Sequence, residues 1–166
     1  MIRIVHLDAD AFRALAAGDV TTAGKVSPVA VSAWLAGPDN RDVWLMRLGQ
    51  ARDDPGSAAW TTGIVWDPVR GKAVGRAGFH APPDAAGTVE IGYAIDPAFR
   101  RQGYARAALE ALLARARDEP SVRRIRVSIS PGNLASQNLA LPYGFAKVGE
   151  QWDEEDGLEI VYELPA

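Results

Sequence analysis

The sequence predicts a mixed α/β domain, and three observations carry that expectation. Residues 88–95, TVEIGYAI, alternate: Val89, Ile91, Tyr93 and Ile95 face one way, and Glu90, Gly92 and Ala94 the other. That is the period of a strand with one buried face. From residue 105 on, Ala105, Ala108, Leu109, Leu112 and Ala116 recur at i, i+3, i+4, i+7 and i+11, the apolar stripe of a packed helix. Residues 123–129 return to period two, with Ile125, Val127 and Ile129 set against Arg124, Arg126 and Ser128. A strand, a helix and a strand in succession imply at least one crossover connection.

The remaining elements follow in order. Residues 8–17 and 28–36 read as helices with polar, Gly-containing connections. Residues 60–66 (WTTGIVW) and 73–80 (AVGRAGFH) read as strands joined by DPVRGK, which has turn chemistry. A short helix is expected within 133–141. Strands at 145–152 and 158–164 flank the acidic tip DEEDG. The expected order is two helices, three strands, then helix, strand, helix and two strands.

Composition sets the outer limits. A chain of 166 residues suits one domain, residues 1–166, with room for a real core. A net charge of −3 gives no global reason to expect nucleic acid or an anionic membrane as partner. With no cysteine, the sequence has no disulfide framework, thiolate metal site or Cys nucleophile. No apolar run approaches the roughly 18–20 residues needed to span a bilayer, and MIRIVHLDAD lacks a signal-peptide pattern, so a cytoplasmic protein is expected. Charge is nevertheless segregated. Residues 100–126 hold eight arginines, whereas residues 149–166 hold seven acids and no Lys or Arg.

The segment DPAFRRQGYARAALEALLARA, residues 96–116, sits at a strand-to-helix junction. The first turn of a helix leaves N–H groups unpartnered and carries partial positive charge. Gly103 lets backbone approach a ligand, Ala105 keeps the next position small, and Arg100, Arg101 and Arg106 add full charge. Those features make a pyrophosphate cradle. Neither GxxxxGK[ST] nor GxGxxG is present, so it is not a Walker or dinucleotide loop.

VEIGYAIDPAFRRQGYARAALEALL resembles the acetyl-CoA-binding motif of the GNAT superfamily of N-acetyltransferases. NLASQNLALPYGFAKVGE resembles the family's next motif, in the form typical of the RimJ/RimL-like branch, with Asn133, Ser136, Gly144, Phe145, Gly149 and Glu150 in register. The resemblance implies the GNAT fold, a central, mostly antiparallel, twisted sheet of about six to seven strands with flanking helices and a splay between its fourth and fifth strands. It also implies that the backbone of Ala94 and Ile95 pairs with the pantetheine arm. The amides of Arg101, Gln102, Gly103, Tyr104, Ala105 and Arg106 would hold the pyrophosphate with Arg100, and Asn133 would contact the arm. Arg115, Arg117, Arg123 and Arg124 read as solvated.

The implied reaction moves an acetyl group from acetyl-CoA to a primary amine, with no metal. An alkylamine arrives protonated, since its pKa is near 10.4, and must lose a proton. Glu90 is the candidate base, acting through water. A backbone N–H near Ile95 is the candidate oxyanion donor. Ser136 is the candidate hydrogen-bond donor to the leaving thiolate. The tyrosine that many members place seven residues after the motif Asn is Ala140 here, and Tyr143 would point elsewhere. A catalytically silent acetyl-CoA-binding sensor is the alternative reading. His80, at the end of the third strand, has two readings, an acceptor-cleft residue or a surface histidine. Trp44, Trp60, Trp66 and Trp152 read as core or edge packing. The tip Asp153, Glu154, Glu155 and Asp156 reads either as a solubilising hairpin or as the attractor of a cationic acceptor. The acceptor's identity stays open, as does the choice of monomer or homodimer.

Overall fold

The computed structural model describes residues 1–166. Seven strands form one sheet: β1 (Arg3–Val5), β2 (Gly63–Asp67), β3 (Lys72–Phe79), β4 (Thr88–Ile95), β5 (Arg124–Ile129), β6 (Ala146–Asp153) and β7 (Gly157–Pro165). Their spatial order is β1-β2-β3-β4-β5-β7-β6. Every pairing is antiparallel except that of β4 with β5. Five α-helices flank the sheet: α1 (Ala9–Ala16), α2 (Val20–Val26), α3 (Arg41–Asp53), α4 (Tyr104–Asp118) and α5 (Leu134–Ala140). The β4–α4–β5 unit is the crossover that the periodicities predicted.

Two apolar layers hold the sheet. On one face α4 buries Ala108, Leu109, Leu112, Leu113 and Ala116 against Phe79, Val89, Ile91, Ile95, Ile125, Val127 and Ile129. On the other, α1 and α3 close over β2 and β3, with Phe12, Leu15, Trp44 and Leu48 against Ile64 and Ala73. Phe12 and Trp44 stack at 6.0 Å between ring centroids. The indole N–H of Trp44 donates to the Leu35 carbonyl at 2.6 Å, so burial leaves it satisfied.

The N-terminal third departs from the sequence expectation. No helix forms over 28–36. The chain there runs through bends and turns to a short 3-10 segment at Pro38–Asn40. The helices are α2, opened by the Asp19 side chain accepting from Thr22 N–H, and α3. α3 was hidden because its buried stripe is Trp44, Arg47, Leu48 and Ala51. An arginine in the stripe breaks the apolar period by which a helix is read. β1 was also missed, since three residues are too few to show alternation.

Two arginine and tryptophan readings also change. Arg115 is not solvated; its guanidinium lies over the Trp60 ring at 4.4 Å and the Phe79 ring at 5.7 Å. Trp44 is core and Trp60 packs on Phe79, but Trp152 is 77% exposed.

Leu109 is fully enclosed between α4 and the sheet. Leu109→Ala is therefore expected to cost about 2–5 kcal/mol, read as a lower urea midpoint at unchanged slope.

Candidate active site

The site begins with a pairing that stops. β4 pairs with β3 as far as Ile95, opposite Gly75. Its parallel register with β5 ends at Glu90, opposite Arg126. His80 N–H donates to the Glu90 carbonyl, and Asp96 N–H to the Val74 carbonyl. Antiparallel pairs alternate, so the even-numbered residues of β4 direct their backbone groups toward β3. Tyr93 and Ile95 direct theirs the other way, into the opening beyond Glu90. Ala94, expected to pair with a ligand alongside Ile95, instead faces Arg76 on β3 with its backbone and only lines the opening. The Ile95 carbonyl accepts from Arg100 Nε at 3.2 Å.

The loop after β4 turns sharply into α4. Arg101 has φ 61°, the one non-glycine residue in the left-handed region, and Gly103 has φ 85° at the helix N-cap. No side chain caps α4, so the amides of Tyr104, Ala105 and Arg106 have no partner within the helix. A Cβ on Gly103 would meet nothing within 4 Å, so a ligand can approach the backbone there. These groups line a cleft of about 690 Å³ together with Tyr93, Ala94, Ile95, Arg100, Arg101, Asn133 and Ser136. Two side chains of the expected set point away. Gln102 accepts from Arg70 Nη1 at 2.8 Å and lies outside the cleft lining. The Tyr104 hydroxyl donates to Asp67 Oδ2 at 2.6 Å, which sends its ring into the core and leaves only its backbone to the site. That hydrogen bond holds the Asp67 carboxyl below its ordinary range.

α5 closes the opening from the β5 side. Asn133 is its N-cap, with Oδ1 accepting from Ser136 N–H at 3.2 Å. Ser136 lies against the Tyr93 phenol; burial raises the phenol's pKa and Ser136 opposes the shift. Ala140 is buried, and the Tyr143 hydroxyl donates to Glu110 Oε1 at 2.6 Å on α4, away from the opening.

A second cleft of about 500 Å³ lies on the other side of β4 and β5. Tyr93, Asn133 and Ser136 line both, so the two clefts meet at those residues. The second is walled by Asp42, Arg47 and Arg76 on one side and by Asp153, Glu155, Asp156 and Glu159 on the other. Three of the four tip acids thus face it, while Glu154 does not line it. His80 lines it too, with its ring over Gly92, where a Cβ would stand 2.8 Å from His80 Nε2. His80 Nδ1 is 3.7 Å from Glu90 Oε2. Glu90 is behind His80 and is not itself a wall of the cleft. His80 is exposed, with 48% of its side chain accessible, and it also lines the cleft, so it is a surface histidine at the cleft's edge; the sequence could not show this because its position depends on where β3 ends relative to the opening.

The concave setting withdraws water from His80 and lowers its pKa. Glu90 raises it in opposition, Arg47 and Arg76 lower it further, and Asp153 raises it slightly. The imidazole is therefore largely neutral at pH 7. Across the cleft Glu155 is pushed up, first by a hydrogen bond shared with Asp42 and by that group's charge. No cluster of His, Asp or Glu is arranged to hold a metal ion, and no helix is long and apolar enough to cross a membrane.

The family model for an acetyltransferase (GNAT) domain matches residues 2–146. The chain belongs to the GNAT acetyltransferase family. Among curated relatives, the uncharacterized N-acetyltransferase YjdG of Bacillus subtilis is 38% identical over 72 residues, 43% of either chain. An L-2,4-diaminobutyric acid acetyltransferase of Streptomyces avermitilis is 46% identical over 50 residues, 30% of this chain and 28% of that one. The chain thus spans less than half the length of these relatives. A structure described as a GNAT-family acetyltransferase of Bordetella pertussis is 26% identical, covers 74% of this chain and 76% of that one, and has a TM-score of 0.59. The ribosomal-protein-S5-alanine acetyltransferase of Vibrio fischeri shares the fold, at 16% identity, 99% and 91% coverage and TM-score 0.64.

The GNAT fold expected from the two motifs is therefore the fold of this chain, with β4 and β5 parting after Glu90. In this GNAT domain the Glu155–Asp42 contact sets a pH dependence. A carboxyl whose folded pKa is raised favours the folded state below its unfolded pKa and loses that contribution as pH rises through the folded value. Glu155→Gln should raise the Tm at pH 7 slightly, and the gain should shrink to nothing as pH falls toward about 4. A gain that persists unchanged at low pH would mean the carboxylate pair is not its source.

Proposed function

We propose that this domain transfers the acetyl group of acetyl-CoA to a primary amine in a ternary complex, with the donor in the cleft above α4 and the amine in the acidic cleft beyond. The observation that carries this reading is that two clefts of different charge meet at one point, Tyr93, Asn133 and Ser136. The donor cleft fits a pyrophosphate-bearing molecule, since it combines free helix-start amides, an open Gly103 and three arginines. Arg100, Arg101 and Arg106 would hold the phosphates, and the Tyr93 and Ile95 backbone groups would pair with the extended arm. Asn133 would anchor the arm at α5. The second motif and the Vibrio fischeri likeness in fold favour the RimJ/RimL-like branch.

When bound, acetyl-CoA supplies an activated thioester. The amine nitrogen attacks its carbonyl carbon; the C–N bond forms, the C–S bond breaks, and the amine proton must leave. His80 takes that proton, since it is neutral and lines the amine's cleft, whereas Glu90 sits behind it. Glu90 therefore changes role from the base expected on sequence to the partner that orients His80 and supports its charged form. The Ile95 N–H is the donor for oxygen charge at the carbonyl. The Tyr93–Ser136 pair offers hydroxyls near the leaving sulfur in place of the residue that Ala140 replaces. That pair weighs against a silent binding module.

Two outcomes test the reading. Acetyl-CoA should raise the Tm by mass action, and Gly103→Glu should remove that shift by adding bulk and negative charge. Gly103→Asn, which tolerates the left-handed backbone, should keep most of it. A full shift in Gly103→Glu would move the cofactor elsewhere.

For the proton, kcat/KM should have an acid limb below pH 6.5, since His80 must be neutral. His80→Gln should lower kcat about 10²–10⁴-fold and leave a rate that climbs steadily with pH. Glu90→Gln should move the limb to lower pH, because Glu90 raises the His80 pKa. A limb shifted upward in Glu90→Gln would return the base role to Glu90.

A further inference from the structure

Two guanidiniums in the acceptor cleft have no carboxylate partner. Arg47 stands in the buried stripe of α3 and is only 5% exposed. Its Nε donates to Thr62 Oγ1 at 2.8 Å, and Nη1 donates to Gln50 Oε1 at 2.8 Å and to the His80 carbonyl at 3.1 Å. Nη2 has no protein acceptor. Arg76, on β3, donates from Nε to Asn40 Oδ1 at 2.6 Å, and neither of its Nη atoms has an acceptor. No acid lies within 4.0 Å of either residue.

The spare nitrogens are not sealed in protein. The buried side-chain atoms left without a partner are on Ser57, Thr61, Arg126 and Glu163, not on these arginines. Both arginines line the acceptor cleft. The free Nη groups therefore open onto it.

This arrangement is uphill for the protein alone. A buried cation without a counter-ion carries a desolvation cost. Here burial, and secondarily the neighbouring charge of Arg76, depress the Arg47 pKa to about 10. A strut that tied α3 to the sheet would need only the neutral acceptors Thr62, Gln50 and Asn40, and a glutamine or lysine could serve. Two planar forks with free edges match an oxyanion with two oxygens. The same cleft is also lined by the carboxylates of Asp39, Asp42, Asp153, Asp156 and Glu159. It thus offers groups of both signs, which suits an acceptor that bears both charges.

We propose that Arg47 and Arg76 bind a carboxylate of the acceptor, so that the acceptor is an amino acid or another small amino carboxylate. Its carboxylate sits on the guanidiniums, and its amine sits beside His80 at the meeting of the two clefts. A polyamine or an aminoglycoside has no group for the arginine pair. The proposal rests on the acetyltransferase reading and deepens it.

The test compares amines that differ only in the carboxylate: L-ornithine against putrescine, L-lysine against cadaverine, and each amino acid against its carboxamide. The acids are expected to have kcat/KM about 10- to 100-fold above their partners, the scale of a lost bidentate charge-assisted pair. Arg76→Gln should bring that ratio close to one by raising the KM of the acids, leaving the acetyl-CoA KM unchanged. Arg76→Lys, which keeps the charge without the fork, should retain part of the preference and serves if the glutamine variant does not fold. Calorimetric titration of the same pairs, with coenzyme A present, reads the discrimination without turnover.

Equal kcat/KM for acids and decarboxylated amines would overturn the proposal, as would an acid preference untouched in both Arg76 variants. A preference for 2-aminoethylphosphonate over β-alanine would overturn the carboxylate and assign the site to a phosphate-like group. Failure of the acetyltransferase reading looks different: no amine is acetylated and acetyl-CoA gives no thermal shift.

Discussion

A strand buried in a sheet must satisfy backbone groups on both of its edges. In this protein β4 does so on the β3 side along its length and on the β5 side only as far as Glu90. Beyond that point Tyr93 and Ile95 offer donors and acceptors to an opening rather than to a strand. The rest of the site follows from this one interruption. α4 must start where β4 ends, because the crossover carries the chain over the sheet to β5. Its uncapped first turn therefore lies at the mouth of the opening, and α5 seals the opposite edge with Asn133 and Ser136. The layer under α4, centred on Leu109 and Ile125, keeps the two strands at a fixed separation.

The same interruption separates two electrostatic environments. The donor side has arginines and unpartnered amides, suited to a polyanion. The second cleft is assembled from distant parts of the chain: α3, the end of β3, and the β6–β7 hairpin. Its lining carries charges of both signs, two arginines among six carboxylates. His80 lies among them, kept neutral chiefly by withdrawal of water, while Glu90 supports the protonated form on its inner side. In the proposed transfer, a base so held can accept a proton and release it again to solvent.

The buried Arg47 connects the N-terminal helices to this chemistry. It anchors α3 to Thr62 on the approach to β2 and to the His80 carbonyl at the end of β3. The helix that shapes the second cleft is thus positioned by a residue that also contributes to its charge. Loss of Arg47 would disturb packing and recognition together, which is why Arg76, less deeply placed, is the cleaner probe of the cleft.

The sequence by itself determined β4, α4, β5 and the motif loop. Each is a local period or a local turn, and local geometry is written in neighbouring residues. It also determined that Arg100, Arg101, Gly103, Ala105 and Arg106 stand at a strand-to-helix junction. Only the tertiary structure decided which of the loop's side chains face the cleft. Gln102 turns to Arg70, and Tyr104 turns to Asp67, because partners 32 and 37 residues away compete for them. The placement of α3 was equally out of reach, since a buried arginine looks polar in sequence until Thr62, Gln50 and the His80 carbonyl are found around it. His80 gained its place in the cleft in the same way. Its role depends on strand register and on charges from four separate elements, and neither of those is a property of its neighbours in the chain.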